Sequence, residues 1–212
     1  MILSVVACLA LGYLCGSLPW GLWLGRWFRG VDVRSVGSGN LGATNVFRSL
    51  GPKLGITTLA LDMLKGALPV WIVPSLGLAR AFPGGSEACA LAVGFAAVAG
   101  HMWTFLAGFR GGKGVATTAG VLLAIAPLAF AAFAAVFVVT VAVTRYISLG
   151  SILGSLALAL ALAWVAPGGV RSPRFLFGVA VAALVVLRHR ENIRRLMRGE
   201  ERRFAWKRTE AT

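Results

Sequence analysis

The topology of this chain depends on residues 115–143, VATTAGVLLAIAPLAFAAFAAVFVVTVAV, a stretch without charged residues. Its 29 residues are many for one bilayer crossing, which takes about 20 apolar residues, and few for two. Pro127 lies near the middle, where the missing backbone N–H favours a break in a helix. Two short crossings would give the chain seven transmembrane helices, and one crossing would give six.

The composition indicates an integral membrane protein. Hydrophobic residues fill 58% of 212 positions, against about 45 to 50% in soluble domains, and the mean hydropathy is +0.82. Residues 2–28 are too long for a removable signal peptide and end in Arg26 and Arg29, so we interpret them as the first span. The other clear candidate spans are residues 52–73, 86–106, 146–166 and 174–187.

The basic residues favour the seven-helix alternative. With an external N-terminus, 17 of the 21 lysines and arginines lie on the cytoplasmic side, as positive-inside asymmetry requires. Arg80, Arg171 and Arg174 lie outside, and Lys65 lies within a span. Six helices would leave ten basic residues outside. We therefore predict an all-α, polytopic integral membrane protein with seven transmembrane helices, an external N-terminus and a cytoplasmic C-terminus. Residues 1–212 would form a single domain with a short basic tail at about 189–212.

This topology places four polar segments on the cytoplasmic side: residues 30–51, 107–114, 144–148 and 188–212. A basic surface attracts anionic lipid headgroups, so membrane lipids are expected partners. Topology and lipid contact are the predicted roles of the tail arginines Arg194, Arg195, Arg198, Arg202 and Arg203. We expect no nucleic acid partner, because the tail has no aromatic residues for base stacking beyond Phe204 and Trp206.

The first polar segment reads GSGNLGATN over residues 37–45, with Arg48 following. Glycines let backbone N–H groups converge on an anion, the Ser, Thr and Asn side chains add neutral donors, and the arginine adds a bidentate cation. The spacing matches neither a Walker loop nor a dinucleotide fingerprint. The segment therefore suits a phosphate, although such loops are also typical of ordinary turns.

The second polar segment places Lys113 among Gly111, Gly112 and Gly114, directly before a predicted helix. An anion there would meet backbone donors, the positive end of the helix dipole and an ammonium group. We interpret Lys113 as a functional residue. His101, which precedes several apolar residues, is interpreted as a capping or pairing residue within the bundle.

Five further polar residues have weaker signals. His189 and Asn192 are three apart, so on a helix they share a face and can act as paired donors at the membrane boundary. Asp62 and Lys65 have the same spacing inside a span, where ionisable groups are costly; a functional role and an internal neutralising pair both stay open. Ser148 alone is an ordinary interfacial serine.

The cysteines lack metal-ligand or disulfide spacing and are predicted to be packing residues: Cys8, Cys15 and Cys89.

In combination, these segments resemble the bacterial membrane acyl-phosphate glycerol-3-phosphate acyltransferases. The resemblance runs through residues 37–45 with Arg48, 111–117, 145–148 and 188–193. It implies a seven-helix fold in the bacterial inner membrane with the site facing the cytoplasm. It also implies transfer of a fatty acyl group from acyl phosphate to the sn-1 hydroxyl of glycerol 3-phosphate. The products would be lysophosphatidic acid and inorganic phosphate, in the first step of phospholipid synthesis.

The resemblance also assigns roles to individual residues. Catalytic roles fall on Lys113, Ser148 and His189. Substrate contacts fall on Ser38, Gly39, Asn40, Gly42, Thr44, Asn45, Arg48, Gly112, Gly114 and Asn192. Thr104 departs from the family, which commonly has proline there, and this leaves the shape of one helix end open.

The chemistry fits these residue types. Acyl phosphate carries its own leaving group, so the protein mainly brings two anions together and stabilises an oxyanion. No metal and no cofactor are expected. The His-x4-Asp dyad of other acyltransferases is absent, since Leu106 and Arg194 stand at the fifth position after each histidine. We hypothesise that the hydroxyl proton passes to a phosphate oxygen of a bound substrate; Asp32 and Glu191 are the candidate carboxylate bases.

Two other classes of protein compete with the enzyme. A transporter of organic phosphates would place polar residues near the bilayer midplane, often in repeated halves, whereas here they cluster at one boundary. A noncatalytic lipid-binding scaffold would explain the tail but not a lysine between glycines. The sequence does not indicate acyl-chain preference, oligomeric state or protein partners.

Overall fold

The computed structural model describes residues 2–205, and every regular element in that range is a helix. This confirms the all-α prediction for the described residues. Met1 and the last part of the predicted basic tail, residues 206–212, lie outside the described range. The chain divides into two compact units, Met1–Pro127 and Leu128–Thr212.

The first unit is built from helices joined by short turns. Its helices are α1 (Ile2–Gly16), α2 (Trp20–Arg29), α3 (Ala43–Leu50), α4 (Pro52–Ser75), α5 (Gly85–Met102) and α6 (Val115–Ile125). Short 3-10 turns lie at Val33–Ser35, Leu78–Ala81 and Phe105–Ala107. Cys8 of α1 and Cys89 of α5 are fully buried in an apolar cluster with Val73 and Val93, which confirms them as packing residues.

The predicted first span, residues 2–28, is broken in the structure. α1 ends at Gly16 and α2 begins at Trp20, and Pro19 between them has no N–H to continue the helix. Carbonyls released by the break are paired: Lys65 Nζ donates to the Leu18 oxygen at 2.7 Å. Pro19 is the local signal for this break, which our interpretation of one continuous span overlooked.

Thr104 is the second partner of the broken segment. Its hydroxyl donates to the carbonyl oxygen of Ser17, and its side chain is buried. α5 ends two residues earlier, at Met102, and Thr104 has φ −70°, a value that proline also adopts. The helix end therefore has a backbone that either residue accepts at this position.

Glycines allow α4 and α6 to pack with their backbones in contact. A Cβ added at Gly120 of α6 would lie 1.8 Å from the carbonyl oxygen of Met63, and one added at Gly66 of α4 would lie 2.2 Å from that of Thr117. Small residues permit such close approach of helices in membranes. The contact holds α6, and the loop that precedes it, against α4.

Replacing Gly120 with alanine is expected to destabilise the first unit by about 1–3 kcal/mol, because the added Cβ meets backbone atoms that cannot rotate away. Gly178→Ala in the second unit is the matched control: its Cβ would lie 2.7 Å from Leu162 Cδ1, the end of a side chain that can rotate. Thermal unfolding of the detergent-solubilised protein measures both. Equal melting temperatures for the two variants would contradict the backbone contact.

The second unit follows the same principle of helices packed on glycines. It contains α7 (Pro127–Thr144), α8 (Ile147–Val165), α9 (Pro173–Arg188) and α10 (Arg190–Met197). Gly154 of α8 lies against Phe133 of α7, and Gly178 of α9 lies against Leu162 of α8. After α10 the chain returns to the α7–α8 corner, where the N–H of Phe204 donates to the carbonyl of Arg145 at 2.6 Å.

Five stretches of the described residues are long and apolar enough to cross a membrane: Ile2–Arg29, Pro52–Ser75, Gly85–Ala107, Pro127–Thr144 and Ile147–Val165. The predicted break at Pro127 is confirmed, since α6 ends at Ile125 and α7 begins at Pro127. With 11 residues, α6 is about 16 Å long, roughly half of the hydrocarbon core. The two crossings of residues 115–143, and with them the count of seven, stay predictions.

Candidate active site

The first glycine-rich loop lies between α2 and α3 and is held by the side chain of Asn45. Its amide nitrogen lies 3.0, 3.1 and 2.9 Å from the carbonyl oxygens of Val33, Val36 and Asn40, and its Oδ1 accepts from the N–H of Ser38 at 2.8 Å. Asn45 is buried. One side chain therefore fixes the loop, and the predicted substrate contact of Asn45 stays a prediction beside this structural role.

Replacing Asn45 with aspartate is expected to destabilise the protein by about 2–4 kcal/mol, because a carboxylate oxygen would face three carbonyl oxygens in a buried site. Asn40→Asp is the matched control, since Asn40 uses only its Oδ1 to accept from the N–H of Gly42, at 2.8 Å, and aspartate keeps that acceptor. Melting temperatures in detergent measure the difference. An Asn45→Asp variant as stable as Asn40→Asp would contradict the network.

Three backbone donors of this loop, those of Ser38, Gly39 and Gly42, are engaged within it. The N–H of Gly39 donates to the carbonyl of Val36 at 3.0 Å, and the N–H of Gly42 donates to Asn40. In this conformation the two glycines do not offer these N–H groups to an anion. The predicted contact of Gly39 and Gly42 with substrate would therefore arise because a residue without a side chain lets a ligand approach the backbone closely.

The loop also presents polar side chains to a ligand. Ser38 is exposed, next to Gly37 and Gly39, which have φ +63° and +68° in the left-handed region that favours glycine. Thr44 and Arg48 come from the first and last turns of α3 and are half-buried. A hydroxyl and a guanidinium at this position suit a phosphate group.

An apolar cluster brings the first and second polar segments together within the first unit. Val33, Leu41 and Val46 from the first loop and α3 pack with Leu22 of α2 and with Ala107, which begins the second segment. Leu41 and Gly112 also line the same small cavity. The structure therefore confirms that these two segments are neighbours.

The second glycine loop rests on the end of α5. The N–H groups of Gly111 and Gly112 donate to the carbonyls of Met102 and His101, at 3.2 and 3.1 Å. A Cβ at Gly112 would lie 2.1 Å from His101 Nε2, so only glycine fits there. Half-buried Lys113 follows, and α6 begins two residues later, after Gly114 with φ +82°. His101 is thus part of the support of Lys113, which the sequence did not indicate.

Asp62 and Lys65 form an ion pair inside the first unit. Lys65 Nζ lies 2.7 Å from Asp62 Oδ1, and His101 Nδ1 lies 3.7 Å from the same oxygen. All three side chains are buried. The neutralising pair that the sequence left open is therefore present, with a histidine added. Ionisable residues in two apolar stretches were the available signal.

The second unit joins Ser148 and Asn192 through a carboxylate. The hydroxyl of Ser148 and the amide nitrogen of Asn192 both donate to Glu201 Oε1, each at 2.7 Å. Arg195 Nε donates to Glu201 Oε2 at 2.8 Å. Sequence reasoning missed Glu201 and assigned Arg195 to topology and lipid contact. The signal available was an acidic residue inside a basic tail, in a chain with only seven acidic residues.

His189 lies between α9 and α10, and not within a helix as its pairing with Asn192 assumed. Its Nδ1 is 2.8 Å from the carbonyl oxygen of Val185, and because a carbonyl only accepts, Nδ1 carries the proton. Nε2 can then accept a hydrogen bond in neutral imidazole and donate one when the ring is protonated. His189 and Asn192 are both buried in the second unit.

The carboxylates near these segments are held by cations. Burial alone would raise the pKa of Glu201, but hydrogen bonds from Asn192, Ser148 and Arg195 lower that pKa below its ordinary value. A hydrogen bond from the Arg34 side chain lowers the pKa of Asp32. Glu191 is exposed and lies 2.9 Å from Arg194. Asp32 and Glu191, the two candidate bases, are therefore both engaged in ion pairs.

Comparison with known proteins gives one consistent result. The model of the family described as Glycerol-3-phosphate acyltransferase matches residues 6–199. The chain is 47% identical over 196 residues to the glycerol-3-phosphate acyltransferase of Geobacter sulfurreducens, covering 92% of this chain and 95% of that protein. It is 49% identical over 197 residues to the protein of that name from Anaeromyxobacter sp., covering 92% and 94%.

Solved structures agree with the sequence relatives. The crystal structure of PlsY (YgiH), an integral membrane glycerol 3-phosphate acyltransferase, in its glycerol 3-phosphate form has a TM-score of 0.83 and 39% identity, and covers 95% of this chain and 96% of that one. The lysophosphatidic acid form has a TM-score of 0.81 and 38% identity, and covers 96% of each chain.

Proposed function

Since this chain belongs to the glycerol-3-phosphate acyltransferase family, we propose that it transfers a fatty acyl group from acyl phosphate to the sn-1 hydroxyl of glycerol 3-phosphate. The products are lysophosphatidic acid and inorganic phosphate, in the first step of phospholipid synthesis. The glycerol 3-phosphate and lysophosphatidic acid forms of the related PlsY support the acceptor and the product. One observation carries the proposal for this chain: the glycine loop that bears Lys113 lies next to the loop that bears Ser38.

Lys113, Arg48 and Ser38 bind the phosphate of glycerol 3-phosphate in this proposal. All three come from the two segments that the apolar cluster under Leu41 holds together. An ammonium, a guanidinium and a hydroxyl match a phosphate in charge and in donors. They also offset the repulsion between two anionic substrates, so that the acceptor hydroxyl can approach the acyl carbon.

Ser148, His189 and Asn192 act at the reacting groups. Because the hydroxyl proton of Ser148 is donated to Glu201, its oxygen is left to accept a hydrogen bond, and the sn-1 hydroxyl of the acceptor can supply one. The sn-1 hydroxyl of glycerol 3-phosphate attacks the acyl carbon of acyl phosphate, and the bond between that carbon and the phosphate oxygen breaks. The proton of the sn-1 hydroxyl passes to a phosphate oxygen of a bound substrate. Protonated His189 donates from Nε2 to a substrate phosphate.

In the proposed topology the chain crosses the bacterial inner membrane seven times, with an external N-terminus and a single domain. The polar segments that carry these groups then all face the cytoplasm. Single cysteines at Arg34 and Arg202, in a protein lacking native cysteines, test this with an impermeant maleimide. Both are expected to react in inverted vesicles and not in intact spheroplasts, whereas a cysteine at Arg80 reacts in spheroplasts only. Opposite accessibility of positions 34 and 202 would refute this topology.

The donor is tested with purified protein and acyl phosphate, acyl-CoA or acyl-carrier protein, each with glycerol 3-phosphate. Only acyl phosphate is expected to support rapid turnover, with phosphate release that requires both substrates. Comparable rates with a thioester would overturn the donor and leave acyl transfer intact. Activity is expected to persist in EDTA; loss in EDTA with rescue by magnesium would overturn the expectation of no metal.

A further inference from the structure

The buried cluster of Asp62, Lys65 and His101 has no part in the proposed reaction. Ionisable side chains inside membrane spans are costly, and these are 1%, 5% and 5% exposed. The three come from two helices, α4 and α5, and meet at the oxygen Oδ1 of Asp62. Because burying three ionisable side chains is costly, we expect this cluster to fix the position of another part of the structure.

Lys65 connects the cluster to the α1–α2 break. Its Nζ lies 2.7 Å from Asp62 Oδ1 and donates to the carbonyl of Leu18 at 2.7 Å. A pair that only cancelled charge would need these two side chains alone. His101 is a third member, on another helix, with its Nδ1 edge toward the same carboxylate oxygen at 3.7 Å.

The other edge of the His101 ring lies against the loop that carries Lys113. An added Cβ at Gly112 would lie 2.1 Å from Nε2, and the N–H of Gly112 donates to the His101 backbone carbonyl at 3.1 Å. The backbone of Gly112, which has no side chain, therefore packs directly against the imidazole ring of His101. A rotation of that ring would displace Gly112 and the lysine that follows it.

We propose that Asp62, Lys65 and His101 are positioning residues, which fix the imidazole against Gly112 and so hold Lys113 where it meets the phosphate of glycerol 3-phosphate. This inference rests on the proposed function, in which Lys113 is a substrate contact. Asp62 orients the imidazole ring, and the ring supports the loop. Lys65 pairs with the Asp62 carboxylate and, by donating to the Leu18 carbonyl, anchors it to the α1–α2 break.

The double variant Asp62→Asn/Lys65→Met tests the proposal, because it removes both charges together and leaves no lone buried ion. We expect the KM for glycerol 3-phosphate to rise about tenfold or more, with kcat and the KM for acyl phosphate changed much less, as misplacement of one binding group predicts. Amide hydrogen exchange of residues 111–114 is expected to quicken, since two of those N–H groups donate to the end of α5. Thr58→Val, which removes another buried polar atom from α4, is the control and changes neither.

Gly112→Ala attacks the same contact from the other side and leaves the ion pair intact. It is expected to give the same rise in KM for glycerol 3-phosphate, so the proposal stays testable if the double variant does not fold. Unchanged KM in Gly112→Ala, or unchanged loop exchange in a folded double variant, overturns the proposal. An unchanged KM in Lys113→Met would instead refute the substrate role of Lys113, and so the proposed function, whatever the cluster does.

Discussion

Lys113→Met reduces kcat/KM for glycerol 3-phosphate at least about 30-fold if its ammonium binds the substrate phosphate. Truncating one partner of a desolvated, hydrogen-bonded charge pair costs about 2–5 kcal/mol, which is a factor of about 30 to several thousand. Lys113 is half-buried on a loop whose glycines pack on His101, whereas Arg110, the other cation of this segment, is exposed. Methionine keeps an unbranched side chain, one heavy atom shorter, and removes the charge and its donors.

Lys53→Met is the matched control. Lys53 lies exposed in the first turn of α4, and its replacement changes the net charge by the same amount. Steady-state phosphate release with both substrates varied measures each variant, and melting temperature shows that both fold. Similar activities for the two variants would show that the charge at position 113 has no special role.

Glu201→Ala is expected to lower the stability of the second unit by about 3 kcal/mol or more and to abolish most activity. The substitution leaves the buried donors of Ser148 and Asn192 without their shared acceptor, at about 1–3 kcal/mol each, and Arg195 without its partner. Arg195 is partly exposed, so water compensates much of its loss. Ser148 and Asn192 would then no longer be held at a common point.

Glu191→Ala is the comparison for this prediction, since it removes an acidic residue nearby whose ion pair is exposed. Such pairs contribute about 0–1 kcal/mol, so its melting temperature stays close to that of the unaltered protein. Equal losses in the two variants would contradict the buried network.

The pH dependence of stability gives a second measurement on Glu201. A carboxyl group whose pKa is lowered by folding stabilises the protein above its ordinary pKa, 4.5 here, and this contribution is lost as pH falls through and below that value. Glu201→Gln is expected to remove this part of the loss on acidification. If Glu201→Gln loses as much stability on acidification as the unaltered protein, the Glu201 carboxylate does not cause that loss.

Much of the fold followed from local patterns in the chain. Pro127 separates α6 from α7 as predicted, because a residue without an N–H favours a break in a helix. The same signal at Pro19 marks the break between α1 and α2, whereas α4 continues through Pro69 and Pro74. The second glycine loop also lies where the sequence placed it, directly before a helix, α6.

The partners within the candidate site could not be read in this way. Ser148 and Glu201 are 53 positions apart, and Asn45 turns inward although its surroundings read as a ligand loop. His101 supports Gly112 only because α5 ends where the second loop passes over it. Hydrophobicity, charge asymmetry and proline positions thus established a helical membrane protein and named its polar segments, since those properties act over a few residues. Which polar atoms pair was settled by the packing of distant helices, since a hydrogen bond forms only when its two atoms lie within about 3 Å.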